Sequence, residues 1–359
     1  MEVPTFRGTT LTCMEMAYFN YNQDIGPIPG QDYPVYDTRL IDYFVSKRMT
    51  AFRFLFSWEG MEPHLGDTIP YADNGNYQAY FDNYKRIVDY ATNVQGAPVI
   101  IEPWQAEPGV RGDKAKVGGA RWRGDLVGTV QVPTAAFADF WAKMVANFKD
   151  NLLVSYGLVN EPNSMSTMSW WASAQAAITA IRNAGSTQRI FVQGNGYTAA
   201  SGWTRDYYDT DPTPHSNAYG WLNTNGPGAP IVDPANNVVA EVHTYLDATE
   251  GGLADDITSV TAVRDHIAVA LDEATAQGYK IYLGELGIYA GNPDASAAWA
   301  DFIAYFEANA GPIVGFTWWG ASMPQWWHDL HAPYFAISPI NEDNFTGDTV
   351  NMQMIQNDF

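Results

Sequence analysis

The sequence predicts an α/β fold, a single (β/α)8 barrel of the TIM type spanning residues 1–359, and three observations lead there. Eight short apolar runs alternate with stretches of helical period, the order that builds a parallel sheet with helices outside it. Two glutamates, Glu161 and Glu285, each stand at the end of such a run. In a parallel barrel the C-terminal strand ends converge on one face, where such barrels carry their chemistry, so residues distant in sequence can share a site.

Taken in order, the predicted strands are residues 9–14, 51–56, 98–102, 152–159, 189–193, 238–245, 280–285 and 313–318. Apolar positions recur at helical spacing over 36–46, 76–92, 134–149, 169–183, 260–277 and 296–309. Gly185, Gly278 and Gly311 fall just past three of these, as C-terminal stop signals do. Residues 203–234, rich in Asp, Pro, Asn and Gly, carry no helix signal and read as a long excursion after the fifth strand. Long loops over 18–34 and 104–133 would wall a substrate cleft.

Composition narrows the function classes. A 46% hydrophobic content over 359 residues supports one large core. The formal charge of −21 makes a nucleic-acid or anionic-membrane partner electrostatically unfavourable and leaves a neutral substrate unpenalised. Cys13 is the only cysteine, so no intrachain disulfide is possible. No apolar run approaches the ~20 residues of a membrane helix. The first residues, Met1-Glu2-Val3-Pro4-Thr5, lack a basic start and an apolar stretch, which is expected of a secreted, extracellular protein whose signal is absent from the chain. A monomer is expected. Asn344-Phe345-Thr346 matches a glycosylation sequon, a pattern frequent by chance. The six histidines form no HExxH or comparable ligand array, and the glycine clusters lack phosphate-loop spacing, so neither metal nor cofactor is indicated.

Glu161 follows Asn160 and precedes Pro162, which is expected to hold it in extended backbone. Two carboxylates at one barrel face suit a retaining glycosidase, in which one protonates the leaving oxygen and the other attacks the anomeric carbon. Asn160 can donate to the sugar 2-hydroxyl. Arg53, a guanidinium inside the apolar run Ala51-Phe52-Arg53-Phe54-Leu55-Phe56, needs a carboxylate partner; a structural ion pair and a bond to Glu285 both answer that need. His243 and Tyr245 share a face by strand alternation and can reach the sugar or the carboxylates. Trp318 and Trp319, at the end of the eighth strand, offer an indole face to a pyranose; Trp58, Trp104, Trp203, Trp326 and Trp327 fit either a sugar wall or the core.

In chain order these residues resemble glycoside hydrolase family 5, in its endo-β-1,4-glucanase branch. The resemblance rests on Gly8-Thr9-Thr10-Leu11 with Met14-Glu15, Arg53 through Trp58-Glu59 and Pro63, Asn160-Glu161-Pro162, Ala180-Ile181-Arg182-Asn183-Ala184-Gly185 with Gly194-Asn195, Val242-His243-Thr244-Tyr245-Leu246-Asp247, Leu283-Gly284-Glu285-Leu286-Gly287 and Trp318-Trp319-Gly320. It implies double displacement, with Glu161 as acid/base, Glu285 as nucleophile hydrogen-bonded by Tyr245, Trp319 as sugar platform, and Arg53, Asn160 and His243 in the same subsite. The implied partner is a β-linked polysaccharide or oligosaccharide. One departure stands out: where the family places a histidine after the third strand, this chain reads Glu102-Pro103-Trp104-Gln105. An indole has one donor and a larger apolar face, which shifts the expected sugar preference toward mannan, xylan, or a mixed-linkage or decorated glucan as the alternative to cellulose. A non-catalytic carbohydrate-binding barrel is the remaining alternative, opposed by the presence of both glutamates and their supporting groups.

Overall fold

The computed structural model describes residues 6–12, 14–15, 24–104, 120–207, 213–321 and 334–359. Eight strands, β1 (Phe6–Leu11), β2 (Ala51–Phe56), β3 (Val99–Pro103), β4 (Val154–Gly157), β5 (Ile190–Gln193), β6 (Val238–Tyr245), β7 (Ile281–Gly287) and β8 (Ile313–Ala321), pair in parallel with their chain neighbours, and β8 closes on β1. β2 and β6 match the apolar runs residue for residue. β1 begins at Phe6 rather than Thr9, because Phe6 belongs to an aromatic plug at the base of the barrel: its ring meets Phe191 edge-on at 5.4 Å, and Phe191 lies 4.6 Å from Tyr282.

Outside lie α1 (Arg39–Ser46), α2 (Gly75–Asp89), α3 (Thr134–Phe148), α4 (Thr167–Asn183), α5 (Asn217–Asn223), α6 (Ala262–Gln277), α7 (Ala295–Ala308) and α8 (Val350–Ile355). Each long helix buries one stripe, as in α3, where Phe137, Phe140, Trp141, Met144, Val145 and Phe148 face the barrel at three- and four-residue spacing. Gly185, Gly278 and Gly311 follow α4, α6 and α7 with positive φ, as read from the sequence. α5 lies inside the excursion where no helix was expected. Its sequence, NAYGWLN, is a poor helix former. Packing overrides that preference: a Cβ on Gly220 would sit 2.1 Å from the Trp171 ring, and the Ser216 hydroxyl caps the Tyr219 amide at 3.1 Å. α8 is the second unforeseen helix, and its preceding Asp348 is held by Lys47 at 2.6 Å and the Tyr43 hydroxyl at 3.0 Å. Among the described residues no helix is long and apolar enough to cross a membrane.

Period-two alternation stacks the barrel interior in layers. Ala51, Ile100, Phe191, Val239 and Tyr282 form part of the apolar plug. Two residues further along four of these strands stand Arg53, Glu102, Gln193 and Glu241, all with no exposed surface. A charged layer thus rests on an apolar one, directly beneath the strand ends.

Candidate active site

Arg53 organises the charged layer. Its guanidinium donates to Glu102 through Nε at 3.0 Å and Nη2 at 2.5 Å, to Asn160 Oδ1 at 2.5 Å and to Glu285 Oε1 at 2.9 Å, and Nε lies 3.4 Å from Glu241 Oε1. Burial works against its charge, but Glu102, Glu241 and Glu285 outweigh burial and hold Arg53 protonated. Glu102 sits against the β4 backbone at Gly157 and Glu241 against β7 at Gly284, where a Cβ would lie 2.1 and 2.0 Å from their carboxylate oxygens. Side-chain-free positions on the neighbouring strands are therefore what admits two carboxylates beside the guanidinium.

Above this layer, Glu285 accepts from Arg53 and, through Oε2, from the Tyr245 hydroxyl at 2.8 Å. Glu161 is less enclosed, with 21% of its side chain accessible against 5% for Glu285. Burial, then the charge of Glu285, push Glu161 above the usual carboxylate range. His243 Nδ1 lies 2.8 Å from Glu161 Oε1 and 3.6 Å from Glu285 Oε2, and its Nε2 lies 3.1 Å from Glu241 Oε1. Burial would lower His243, but Glu285, Glu161 and Glu241 together raise it to about 10, so the ring is a cation at neutral pH. Donor-type atoms of Glu161, His243 and Glu285 all lie within 4.8 Å of one another. Guanidinium and imidazolium already supply positive charge to these carboxylates.

The backbone corrects one expectation. Glu161 is not extended but has φ +47°. Pro162 does disfavour the right-handed helical region for its predecessor. The loop's hydrogen bonds select the left-handed one: Asn163 Nδ2 donates to the Glu161 carbonyl at 2.9 Å, the Tyr197 amide to Pro162 at 3.1 Å and the Asn160 amide to Pro103 at 2.9 Å.

Arg53, Asn160, Glu161, His243, Tyr245 and Glu285 thus come together as one constellation. Asn160 Nδ2 is buried with no protein partner. Trp319 is half-buried against Tyr245 and Phe335. Trp318 is core, its indole bonded to the Phe335 carbonyl at 2.7 Å, and Trp58 and Trp203 are likewise fully buried, bonded to Glu62 and Tyr279. Trp326 and Trp327 lie outside the described residues. Trp104 is buried, and its amide donates to Phe56 at 2.9 Å, prolonging the β2–β3 ladder. By alternation from Glu102 it belongs on the interior side, above the charged layer. Three residues given no role from the sequence complete the site: Glu241, Gln193 and Tyr197. Glu241 was visible, two residues before His243 on the same strand face. Tyr197, 54% exposed with φ +62°, sits on the loop after β5 beside Pro162.

The nearest carboxylate oxygens of Glu161 and Glu285 are within 4.8 Å. That suits the ~5 Å spacing of retaining enzymes and is far from the roughly 6.5–9.5 Å needed to admit a water in inversion. An unequal, closely spaced carboxyl pair at the C-terminal face of a (β/α)8 barrel defines a retaining glycoside hydrolase. The chain belongs to the cellulase family, glycosyl hydrolase family 5, whose sequence model matches residues 12–322. It is 28% identical to endo-β-1,4-glucanase B of Aspergillus niger over 91% of this chain and 84% of that protein. With an endoglucanase of Neurospora crassa it shares 30% identity over 88% and 69%. Among solved structures it resembles XacCel5A in complex with cellopentaose, with TM-score 0.81 and 27% identity over 100% of both chains. It also resembles a triple mutant of an endo-β-1,4-glucanase from Xanthomonas axonopodis pv. citri, with TM-score 0.80 and 27% identity over 98% of each.

Proposed function

We propose that residues 1–359 form one secreted, monomeric catalytic unit, an endo-β-1,4-glucanase with Glu285 as nucleophile and Glu161 as acid/base. The observation that carries the assignment is the unequal hydrogen bonding of the two carboxylates. Glu285, oriented by the hydrogen bonds of Arg53 and Tyr245, attacks the anomeric carbon as Glu161 gives its proton to the departing glycosidic oxygen. Glu161, now an anion beside His243, then takes a proton from water, and the water oxygen displaces Glu285 with net retention. The unpartnered Asn160 amide is the natural donor to the sugar 2-hydroxyl, and Trp319 the platform under the ring. Tyr197, exposed beside the Glu161 loop, offers a second platform on the leaving-group side.

Cellulose-type substrate is supported by the relatives named endo-β-1,4-glucanase or endoglucanase and by the cellopentaose complex of XacCel5A. A second reading, a mannan, xylan, or mixed-linkage or decorated glucan substrate, is favoured by the placement of Trp104 on the interior side above Glu102. Product analysis on a polysaccharide panel decides between them. Oligomers released from carboxymethylcellulose support the first reading, and turnover confined to another glycan excludes it.

A further inference from the structure

We propose that Glu241 is a positioning residue of this reaction, a buried anion that never meets the sugar but fixes the tautomer and charge of His243 and, through it, the proton supply of Glu161. This rests on the roles proposed for Glu161 and Glu285.

Glu241 is fully buried, and the contacts of its carboxylate lead toward the chemistry: Oε2 accepts from Gln193 Nε2 at 2.7 Å, and Oε1 faces His243 Nε2 at 3.1 Å and Arg53 Nε at 3.4 Å. Gln193 is itself fixed, its Oε1 accepting the Val159 amide at 3.2 Å, two residues before Glu161. Glu241 Oε1 lies against the β7 backbone at Gly284, where only a residue without a Cβ leaves it room. A burial this complete is costly for an anion without such partners.

The consequence is a tautomer argument. With a carboxylate at Nε2, that nitrogen must carry a proton. Any further proton of the ring then lies at Nδ1, on the 2.8 Å line to Glu161 Oε1. A hydrogen bond between those two atoms holds one proton whether the imidazolium donates to the carboxylate or the carboxylic acid donates to the neutral ring. Glu241 thereby keeps the proton on the His243–Glu161 line instead of letting it settle at Nε2. The other charged groups acting on His243 are Glu161 after β4 and Glu285 from β7, with Glu102 of β3 also sensing its charge; Arg53 of β2 and Tyr245 of β6 bear on it through their contacts with Glu241 and Glu285. Glu241 is the group that faces Nε2, at 3.1 Å.

The test is Glu241→Gln, which keeps the shape and removes the charge. Fewer negative charges in the cluster mean weaker proton binding, so two readouts should move together. The imidazole titration of His243, followed by NMR with His243→Asn as the assignment control, should fall by about one pH unit or more. The basic limb of kcat/KM should move the same way, with kcat lowered roughly tenfold or more and KM little changed. Glu241→Asp, retaining the charge, should return the titration toward wild type. A His243 titration identical in wild type and Glu241→Gln overturns the proposal, as does a uniform activity loss without a shifted limb. Should Glu241→Gln not fold, Gln193→Met removes the donor that stabilises the Glu241 anion. With its charge kept and less neutralised, Glu241 should then hold the His243 proton more tightly, so both readouts should move upward, and no shift or a downward one overturns the proposal. The histidine titration needs no substrate, so its failure counts against Glu241 alone, whereas wild-type activity in Glu285→Gln counts against the catalytic assignment.

Discussion

Arg53 Nη1 lies 2.9 Å from Glu285 Oε1, and the same guanidinium holds Glu102 and Asn160. One cation therefore serves a structural ion pair and the carboxylate proposed as nucleophile. Arg53→Lys retains the charge but loses the planar fork, leaving Glu102 or Glu285 short of a donor. The variant should fold with reduced stability and lose at least roughly 10²-fold in kcat/KM, because a buried carboxylate deprived of its partner costs about 3–5 kcal/mol. Steady-state kinetics beside a urea titration check both parts, and activity near wild type would mean that Arg53 is structural only.

Glu285→Gln should abolish turnover while leaving oligosaccharide binding by calorimetry intact, since an amide keeps the contact to Arg53 or Tyr245 but cannot form the glycosyl ester. Glu161→Ala should instead lose roughly 10²–10⁴-fold on unactivated substrates and much less on aryl glycosides with good leaving groups. Added azide should then give a β-glycosyl azide, identified by NMR, because attack on the glycosyl–Glu285 ester restores the starting configuration. An α product would exchange the two roles.

Asn160 Nδ2 is buried without a protein partner while Oδ1 is fixed by Arg53. Such an orphan is expected where a ligand supplies the acceptor. Asn160→Ala should lower kcat/KM for a glucoside by roughly 10²-fold, the worth of a hydrogen bond strengthened at the transition state, and have far less effect on the 2-deoxy substrate. Equal losses on both substrates would remove the 2-hydroxyl contact from the mechanism.

Much of this site is readable in the chain because strands advertise themselves. In β6 Glu241, His243 and Tyr245 recur at every second position, so His243 and Tyr245 could be given one face, and in β2 Arg53 stands out as the one charge in an apolar run. Glu241 lay on the same face and was passed over, since nothing local distinguishes a positioning carboxylate from a solvated one; its meaning comes from Gln193 and Gly284 on the flanking strands. The same holds for α5, a weak helix made by its fit to Trp171. Glu161's positive φ was misjudged because the rule for residues before proline is local, whereas the bonds to Tyr197 and Pro103 are not. Tryptophan content likewise overstated the sugar wall: Trp58, Trp203 and Trp318 are core.

Glu59, at the turn after β2, is fully buried. Burial raises it from 4.5 to about 7, although the Arg123 amide at 2.6 Å and the Ser57 hydroxyl at 3.1 Å donate to it. Because the folded value lies above the unfolded one, the contribution to stability is complete below about pH 4.5 and is lost as pH rises through 7. The difference corresponds to about 3 kcal/mol at most. Glu59→Gln, always neutral, should flatten the dependence of Tm on pH between 5 and 8 and raise Tm at pH 8 relative to wild type. Parallel melting curves for the two proteins across that range would show that Glu59 does not titrate there.

Trp104 decides the remaining question, which sugar lies between the glutamates. It follows Glu102 by two residues with its amide still on the β2 ladder, so strand alternation assigns its side chain to the face that Glu102 occupies. A histidine there would present two ring nitrogens to sugar hydroxyls; the indole presents one N–H and a broad apolar face. Trp104→His should therefore raise kcat/KM on cello-oligosaccharides by roughly 10-fold relative to mannan- or xylan-derived oligomers of equal length, the scale of one gained hydrogen bond at about 1.4 kcal/mol. On the second reading the wild type shows the complementary preference, tolerating a substituent or an altered hydroxyl where histidine would leave a donor unpaired. A ratio of rates unchanged by the substitution would place Trp104 in the packing of the β3 loop and leave plain β-1,4-glucan as the substrate.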